Sequence, residues 1–205
     1  MRWLARNWDD LLWATGDHAL LTLTSVGVAL VLALAVGIAV RARPRAFAVV
    51  LGAAEVVYTV PALALFALLI PVVGLGRRPA LIGLASYAFF ILLRNTVAGI
   101  RAVPADVVES AVGMGLSPRQ VLVRIEVPLA LPVIVAGVRV ATVTVIGAGT
   151  VAAYINAGGL GAIIFSGIYQ TFPVKIFAGA AAASLLAILA DMALARMERA
   201  LQRGA

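Results

Sequence analysis

The chain has no cysteine, a single histidine and few charges for its size. Without cysteine there is neither a disulfide framework nor a thiolate metal site. The lone histidine, His18, has no cluster of ligating neighbours, so no metal site is expected, and it is expected near a membrane interface. Only 12% of the 205 residues are charged, against about a quarter in a soluble domain. Also missing is a glycine-rich phosphate loop ending in Gly-Lys-Ser/Thr, so no ATP hydrolysis and no bound cofactor are expected of this chain. No nucleophile–base pair points to catalysis.

What is present is apolar. Hydrophobic residues make up 63% of the chain, with a mean hydropathy of +1.09. A water-facing globule of this length has no room to hide so much apolar surface, so lipid must be its solvent. The net charge of +7 raises the question of nucleic acid. The basic residues, however, sit in short groups between long apolar runs, as in Arg41, Arg43 and Arg45 or Arg196, Arg199 and Arg203. That is the pattern of cytoplasmic loops in membrane proteins, and no basic patch is interleaved with aromatics. At the N-terminus Arg2 and Arg6 precede Asp9, Asp10 and Asp17, which interrupt any apolar core, so no cleavable signal peptide is expected. Trp3, Trp8 and Trp13 instead suit an amphipathic segment over Met1 to Asp17 at headgroup level.

A span needs about 20 apolar residues to cross about 30 Å of hydrocarbon. Ala19 to Val40 is the first candidate. Ala46 to Gly74 would reach roughly 43 Å as a straight helix. With Pro61 and Pro71 interrupting it, the stretch predicts one tilted, kinked span. Ala80 to Thr96, Pro132 to Tyr154 and Val174 to Met192 complete a set of five. Five spans put the three basic regions on one side, which is then the cytoplasm. The N-terminus falls outside, with Arg77, Arg78 and Lys175 as exceptions. Arg139 is expected to snorkel to the interface, and Arg94 and Asn95 to anchor loop structure or bind headgroups. The chain is expected to be a single domain over 1–205.

Between the third and fourth spans, Ile100 to Leu131 is too polar to cross lipid. It reads as a helix, a break and a second helix. Pro104 suits the first turn, and Val107, Val108, Ala111 and Val112 form an apolar stripe. Gly115 can close the helix in a left-handed conformation. Ser117 caps the next helix with Pro118 at its first position, and Pro128 is expected to stop it. A cytoplasmic loop with its own amphipathic hairpin has a surface built to meet a partner.

The loop resembles the "EAA" signature of binding-protein-dependent ABC importer permeases: Glu-Ala-Ala, three residues, Gly, nine residues, Ile-x-Leu-Pro. Here those places hold Glu109, Ser110, Ala111, Gly115, Ile125, Val127 and Pro128. Ser110 and Val127 depart from the pattern, both conservatively in shape. Five further stretches are similar to the osmoprotectant branch of that family: Tyr58 to Leu65, Leu93 to Gly99, Gly113 to Gly115, Val127 to Val133 and Ala157 to Gly161. The similarity covers most of Ala19 to Asp191. It implies an all-α polytopic fold of the MetI-like kind, with about five transmembrane helices in the cytoplasmic membrane. The loop would be a coupling helix docked on a partner. Two copies, or two homologous permeases, would work with two ATP-binding subunits that hold ATP and magnesium, and with an extracytoplasmic solute-binding protein. That binding protein is expected to be separate, since the chain ends about a dozen residues after its last span.

Cargo implied by this branch is a quaternary amine such as glycine betaine, carnitine or choline. A permanent cation needs polar or aromatic groups along its path, because aromatic faces attract it. Tyr58, beside the Pro61 kink, is expected to line that path, and Tyr154 and Asn156 to belong to the external mouth. Interfacial anchoring or packing is the alternative for both tyrosines. Glu55 is either an intramembrane functional group or a solvated residue near the cytoplasmic end. The glycines at 158–161 are expected to allow close packing or a hinge, and Gly147, Gly149 and Thr150 to pack helices. Competing readings are a permease of the same superfamily for an amino acid, another betaine such as ergothioneine, or a sulfonate. An autonomous secondary transporter is the remaining one, though no internal repeat supports it.

Overall fold

The computed structural model describes Trp3 and residues 6–204, and Arg2 lies outside the described residues. Every regular element among them is helical. That is what lipid demands, because a helix satisfies its own backbone. The first helix, α1 (Trp8–Val40), has 33 residues, about 50 Å at the standard rise, well beyond one hydrocarbon thickness. Of the expected N-terminal segment, Trp8 to Asp17 form the first turns of α1. No proline interrupts it, and Asp9 and Asp10 in its first turn favour helix there. Trp8 and Trp13 are exposed, as the headgroup reading requires.

A tight turn closed by Arg43 N–H on the Val40 carbonyl (2.9 Å) leads to α2 (Pro44–Thr59), which starts on its proline. Then comes α3 (Ala62–Val73), bent by 100° from α2. One tilted, kinked span was expected, with both prolines interrupting it. There is instead a single sharp break, at Pro61, and Pro71 lies inside α3. The difference is positional. Pro61 forces Val60 into an extended conformation (ψ 128°) in mid-span, whereas Pro71 sits in the last turn of α3, where little helix remains to disrupt.

Gly74 and Gly76 make the turn into α4 (Arg77–Arg101), the most buried of the long helices. A short hairpin follows, α5 (Ala105–Gly113) and α6 (Pro118–Val121), and then a π-helical turn (Leu122–Glu126) and α7 (Val127–Val151). From Pro118 to Ile155 the chain is one rod, so Pro128 does not stop the helix. The π turn, in which Val127 N–H reaches back to the Leu122 carbonyl, widens the ladder where the Pro128 ring would otherwise press on the preceding turn. A 3-10 turn (Ala152–Ile155) leads to α8 (Leu160–Tyr169), ten residues long and too short to cross. The last helix is α9 (Pro173–Gly204). Among the described residues four helices are long and apolar enough to span, and the bent pair, counted as one broken span, makes a fifth.

The core is built around α4. Its Leu84, Ala88, Leu92, Leu93 and Val97 pack with Ala29 and Ala33 of α1 and Ala141 and Val145 of α7. In lipid, close packing replaces the hydrophobic effect as the source of helix association, and small residues permit it. A Cβ on Gly37 would lie 3.0 Å from the Thr96 side chain, and one on Gly137 would lie 2.6 Å from Asn95. Asn95 thus packs against α7 while its amide bonds the Ile91 carbonyl.

Arg139 does not snorkel to the interface. Its guanidinium forks onto Asp191 of α9 (3.0 and 3.1 Å) and reaches Glu198 (2.6 Å). Two carboxylates on the neighbouring helix offer a charged, bidentate partner that water at the interface does not match.

Five spans with the basic turns together place Leu75 and Met114, both exposed, on opposite sides. The cysteine-free chain allows a clean check with Leu75→Cys and Met114→Cys. In intact cells an impermeant thiol reagent should label Leu75→Cys only, and Met114→Cys only after permeabilisation. Labelling from the same side would overturn this topology.

Candidate functional site

The hairpin is set by its caps. At the end of α5, Leu116 N–H bonds the Ala111 carbonyl (3.2 Å) and Gly115 N–H the Val112 carbonyl (2.9 Å), the paired closure that ends a helix on a left-handed residue. Gly115 supplies that residue at φ +85°, with open space where a side chain would be. Ser117 and Gln120 then form a reciprocal capping box, Gln120 N–H to the Ser117 hydroxyl and Ser117 N–H to the Gln120 amide oxygen. Ala111 and Val121 are buried between the two helices, while Glu109, Ser110, Val112 and Met114 point outward. Met114 and Val112, 73% and 58% exposed, crown this surface.

Six residues were expected to form this surface, and the structure divides them. Glu109, Ser110 and Gly115 lie on the hairpin's exposed side, and Ala111 is the small residue that lets its helices meet. Ile125 and Pro128 sit at the root, lining a groove of about 410 Å³ with Val107 and with Ala200 and Leu201 of α9.

A second place is the broken span. The Tyr58 ring lies 4.8 Å from that of Phe90 and 5.3 Å from that of Tyr87. The Tyr87 hydroxyl donates to the Val60 carbonyl, which the break at Pro61 would otherwise strand. Tyr87 and Phe90 had no sequence signal of their own, since an aromatic in a buried helix reads as core. Pro61 is exposed at the start of α3. Glu55 is exposed too, roughly 17 Å along α2 from its basic end.

Tyr154 and Asn156 are elsewhere, at the opposite end of α3. Tyr154 is exposed, with its ring 5.8 Å from Phe165, which is in turn 6.3 Å from Tyr169. Asn156 is left-handed (φ 66°), in the same cap geometry as Gly115, and the neighbouring Ile155 carbonyl accepts from Gly76 N–H (2.8 Å). The expected site residues therefore fall in three groups: the hairpin and its root, the break, and the turn before α8.

Sequence reasoning missed a latch that joins α1, α4 and the turn before α8. Asp17 pairs with Arg77 (2.8 Å) and accepts from Gly159 N–H (3.0 Å). Arg77, an exception to the charge rule, thus has an acid beside it, and Lys175 lies 5.7 Å over the Trp3 ring. His18 is buried, its Nε2 3.0 Å from the Ile146 carbonyl and its ring against Gly149 and Gly159. Gly161 packs on Thr150 and Ala153, so these glycines serve close packing, whereas Gly147 faces open space.

A polytopic helical bundle with a capped, outward-facing hairpin between its third and fourth spans is the architecture of a transport permease. Over residues 26–203 the chain matches the family described as binding-protein-dependent transport system inner membrane component, and it belongs to that family. It is 37% identical to the glycine betaine/carnitine/choline transport system permease protein OpuCB of Bacillus subtilis (strain 168), over 97% of this chain and 92% of that one. It is 39% identical to the carnitine transport permease protein OpuCB of Listeria monocytogenes, over 94% and 88%. The fold superposes on a chain of the MetNI methionine ABC transporter in an inward-facing conformation with a TM-score of 0.85, covering 93% of this chain and 95% of that one at 22% identity.

Tyr87→Phe keeps the ring but leaves the Val60 carbonyl without its donor. The expected loss is about 1–2 kcal/mol of stability, read as a lower melting temperature of the purified permease in detergent. Tyr58→Phe, which removes no such bond, should melt like the parent; equal melting of all three would refute the role given to Tyr87.

Proposed function

We propose that this chain carries a small quaternary amine, such as glycine betaine, carnitine or choline, across the cytoplasmic membrane as a permease subunit. The observation that carries the reading is the near full-length similarity to a glycine betaine/carnitine/choline permease. Energy comes from separate ATP-binding subunits, which hold ATP and magnesium and dock on the exposed face of the hairpin around Glu109, Ser110 and Met114. An extracytoplasmic binding protein delivers the cargo, and a second copy or a homologous permease completes the dimer. The N-terminus lies outside and the C-terminus in the cytoplasm.

Within the permease, the path runs past the break. A bent span supports this, since broken helices are tolerated at membrane depth only where protein or a cavity receives the freed backbone. Tyr58, half-buried against Tyr87 and Phe90, offers a ring face to a cation, with Pro61 and Glu55 on the exposed side of the same span. Tyr154 and Asn156 belong to the outer mouth.

Uptake of labelled glycine betaine, carnitine and choline by cells carrying the whole complex tests the cargo; uptake of none of them overturns it. Removing one cation–π face is worth about 0.5–2 kcal/mol, so Tyr58→Ala should raise the apparent KM about 2- to 30-fold. An unchanged KM would reject the path but not the cargo.

Docking is tested apart from cargo. Gly115→Val forces a β-branched residue into a left-handed turn, and Glu109→Lys reverses a charge on the exposed face. Both variants should insert in the membrane, yet hydrolyse ATP without matching uptake, measured in parallel on reconstituted complex. Normal uptake in both would remove the hairpin from the coupling role.

A further inference from the structure

Three helix ends meet beneath the hairpin. Arg101, the last residue of α4, donates from Nε and Nη2 to the Arg41 carbonyl (3.4 and 3.2 Å). Its guanidinium also lies 4.8 Å over the ring of Phe47 in the first turn of α2. Arg41, at the end of α1, holds the Ile38 carbonyl through Nη1 (2.7 Å) and extends Nε to Glu126, 3.5 Å away at the end of the π turn. Between these groups and the hairpin is a crevice of about 430 Å³, lined by Arg41, Arg101, Val108, Glu109 and Glu126.

The arrangement bears on how movement leaves the hairpin. Helix α5 packs chiefly on α6 and the π turn, which are parts of its own loop. The chain itself connects the hairpin to α4 and α7, but not to α2, the half of the broken span that carries Tyr58. Glu126 to Arg41 is the ion pair that crosses from the hairpin root to the α1–α2 turn. Both side chains are mostly covered, 27% and 20% exposed, so salt screens the pair less than an open surface pair.

We propose that Arg41 is a positioning residue for transport: through Glu126 it passes displacement of the hairpin to the α1–α2 turn and so to α2. Only two residues separate Arg41 from Pro44, the first residue of α2, and the turn between them is closed by its own hydrogen bond. A pull on the guanidinium therefore reaches the helix rather than dissipating in slack chain. Arg101 holds the other side of the same turn, so the movement is a rotation of α2 about its basic end. This inference rests on the hairpin being the docking element.

The test uses the assembled complex with its ATPase subunits and needs no cargo. Two pairs of cysteines are introduced into the cysteine-free chain and spin-labelled: Met114→Cys with Leu189→Cys, which follows the hairpin against α9, and Val49→Cys with Leu189→Cys, which follows α2. All three positions are exposed. Distances are measured by electron–electron dipolar spectroscopy with and without ATP and vanadate. In the parent both pairs should shift on trapping. Glu126→Gln should keep the hairpin shift and reduce the α2 shift by more than half, and the exchanged pair Arg41→Glu with Glu126→Arg should restore it. An α2 shift that persists in Glu126→Gln, or that is absent in the parent while the hairpin moves, overturns the relay. A hairpin that does not move in the parent overturns the docking reading and the relay with it. Should the exchanged pair fail to assemble, the Glu126→Gln result decides.

Discussion

Backbone hydrogen bonding in lipid is the constraint on which the rest of this structure depends. Each peptide group left open at membrane depth costs several kcal/mol, so a helix can be interrupted only where something else supplies the missing partner. At Val60 that partner is the Tyr87 hydroxyl. At Ile155 it is the N–H of Gly76, and at Gly159 the carboxylate of Asp17. Each interruption is thereby tied to a particular neighbouring helix. The residues that make the breaks tolerable are the same ones that fix where the functional side chains stand.

Close approach is the second requirement, and α4 is where it is met. Its surface receives Gly37 of α1 at a distance that leaves a side chain little room, and Gly137 of α7 at one that excludes it. The result is a tight three-helix core with the bent pair laid against one side. Helices α2 and α3 bury one residue each, Ala54 and Phe66. This leaves most of the broken span facing outward from the protomer, which is where a path shared with a second permease would need it.

Much of this was legible in the sequence because the signals are local. Long apolar runs mark spans. Pro104, Gly115, Ser117 and Pro118 announce the hairpin, since caps depend on residues a turn apart. What was not legible depends on distance along the chain. Arg139 meets Asp191 and Glu198, 52 and 59 residues away, and Arg77 meets Asp17 across 60; no pattern within a helix encodes such pairs. Proline was read correctly as a disturbance but not in its effect. The same residue type breaks the span at 61, rides inside a helix at 71, and is absorbed by a π turn at 128. Its position relative to the hydrogen-bond ladder decides which.

The fork of Arg139 has a geometric consequence for the last helix. Nearer its start, α9 carries Ala178 to Ala183, a run of glycine and alanine that packs on α8 and the first turns of α1 and presents an almost featureless surface. Small side chains of nearly equal size admit several axial placements, each one turn apart and similar in packing energy. Asp191 and Glu198 stand seven residues apart, about 10.5 Å along the helix, and one guanidinium spans them only in the placement observed. A slide of about 5.4 Å, one turn, would break the bidentate pair with Asp191. The charges thus remove a degeneracy that the alanines leave, selecting one register of α9 on α7 from a ladder of near-equals.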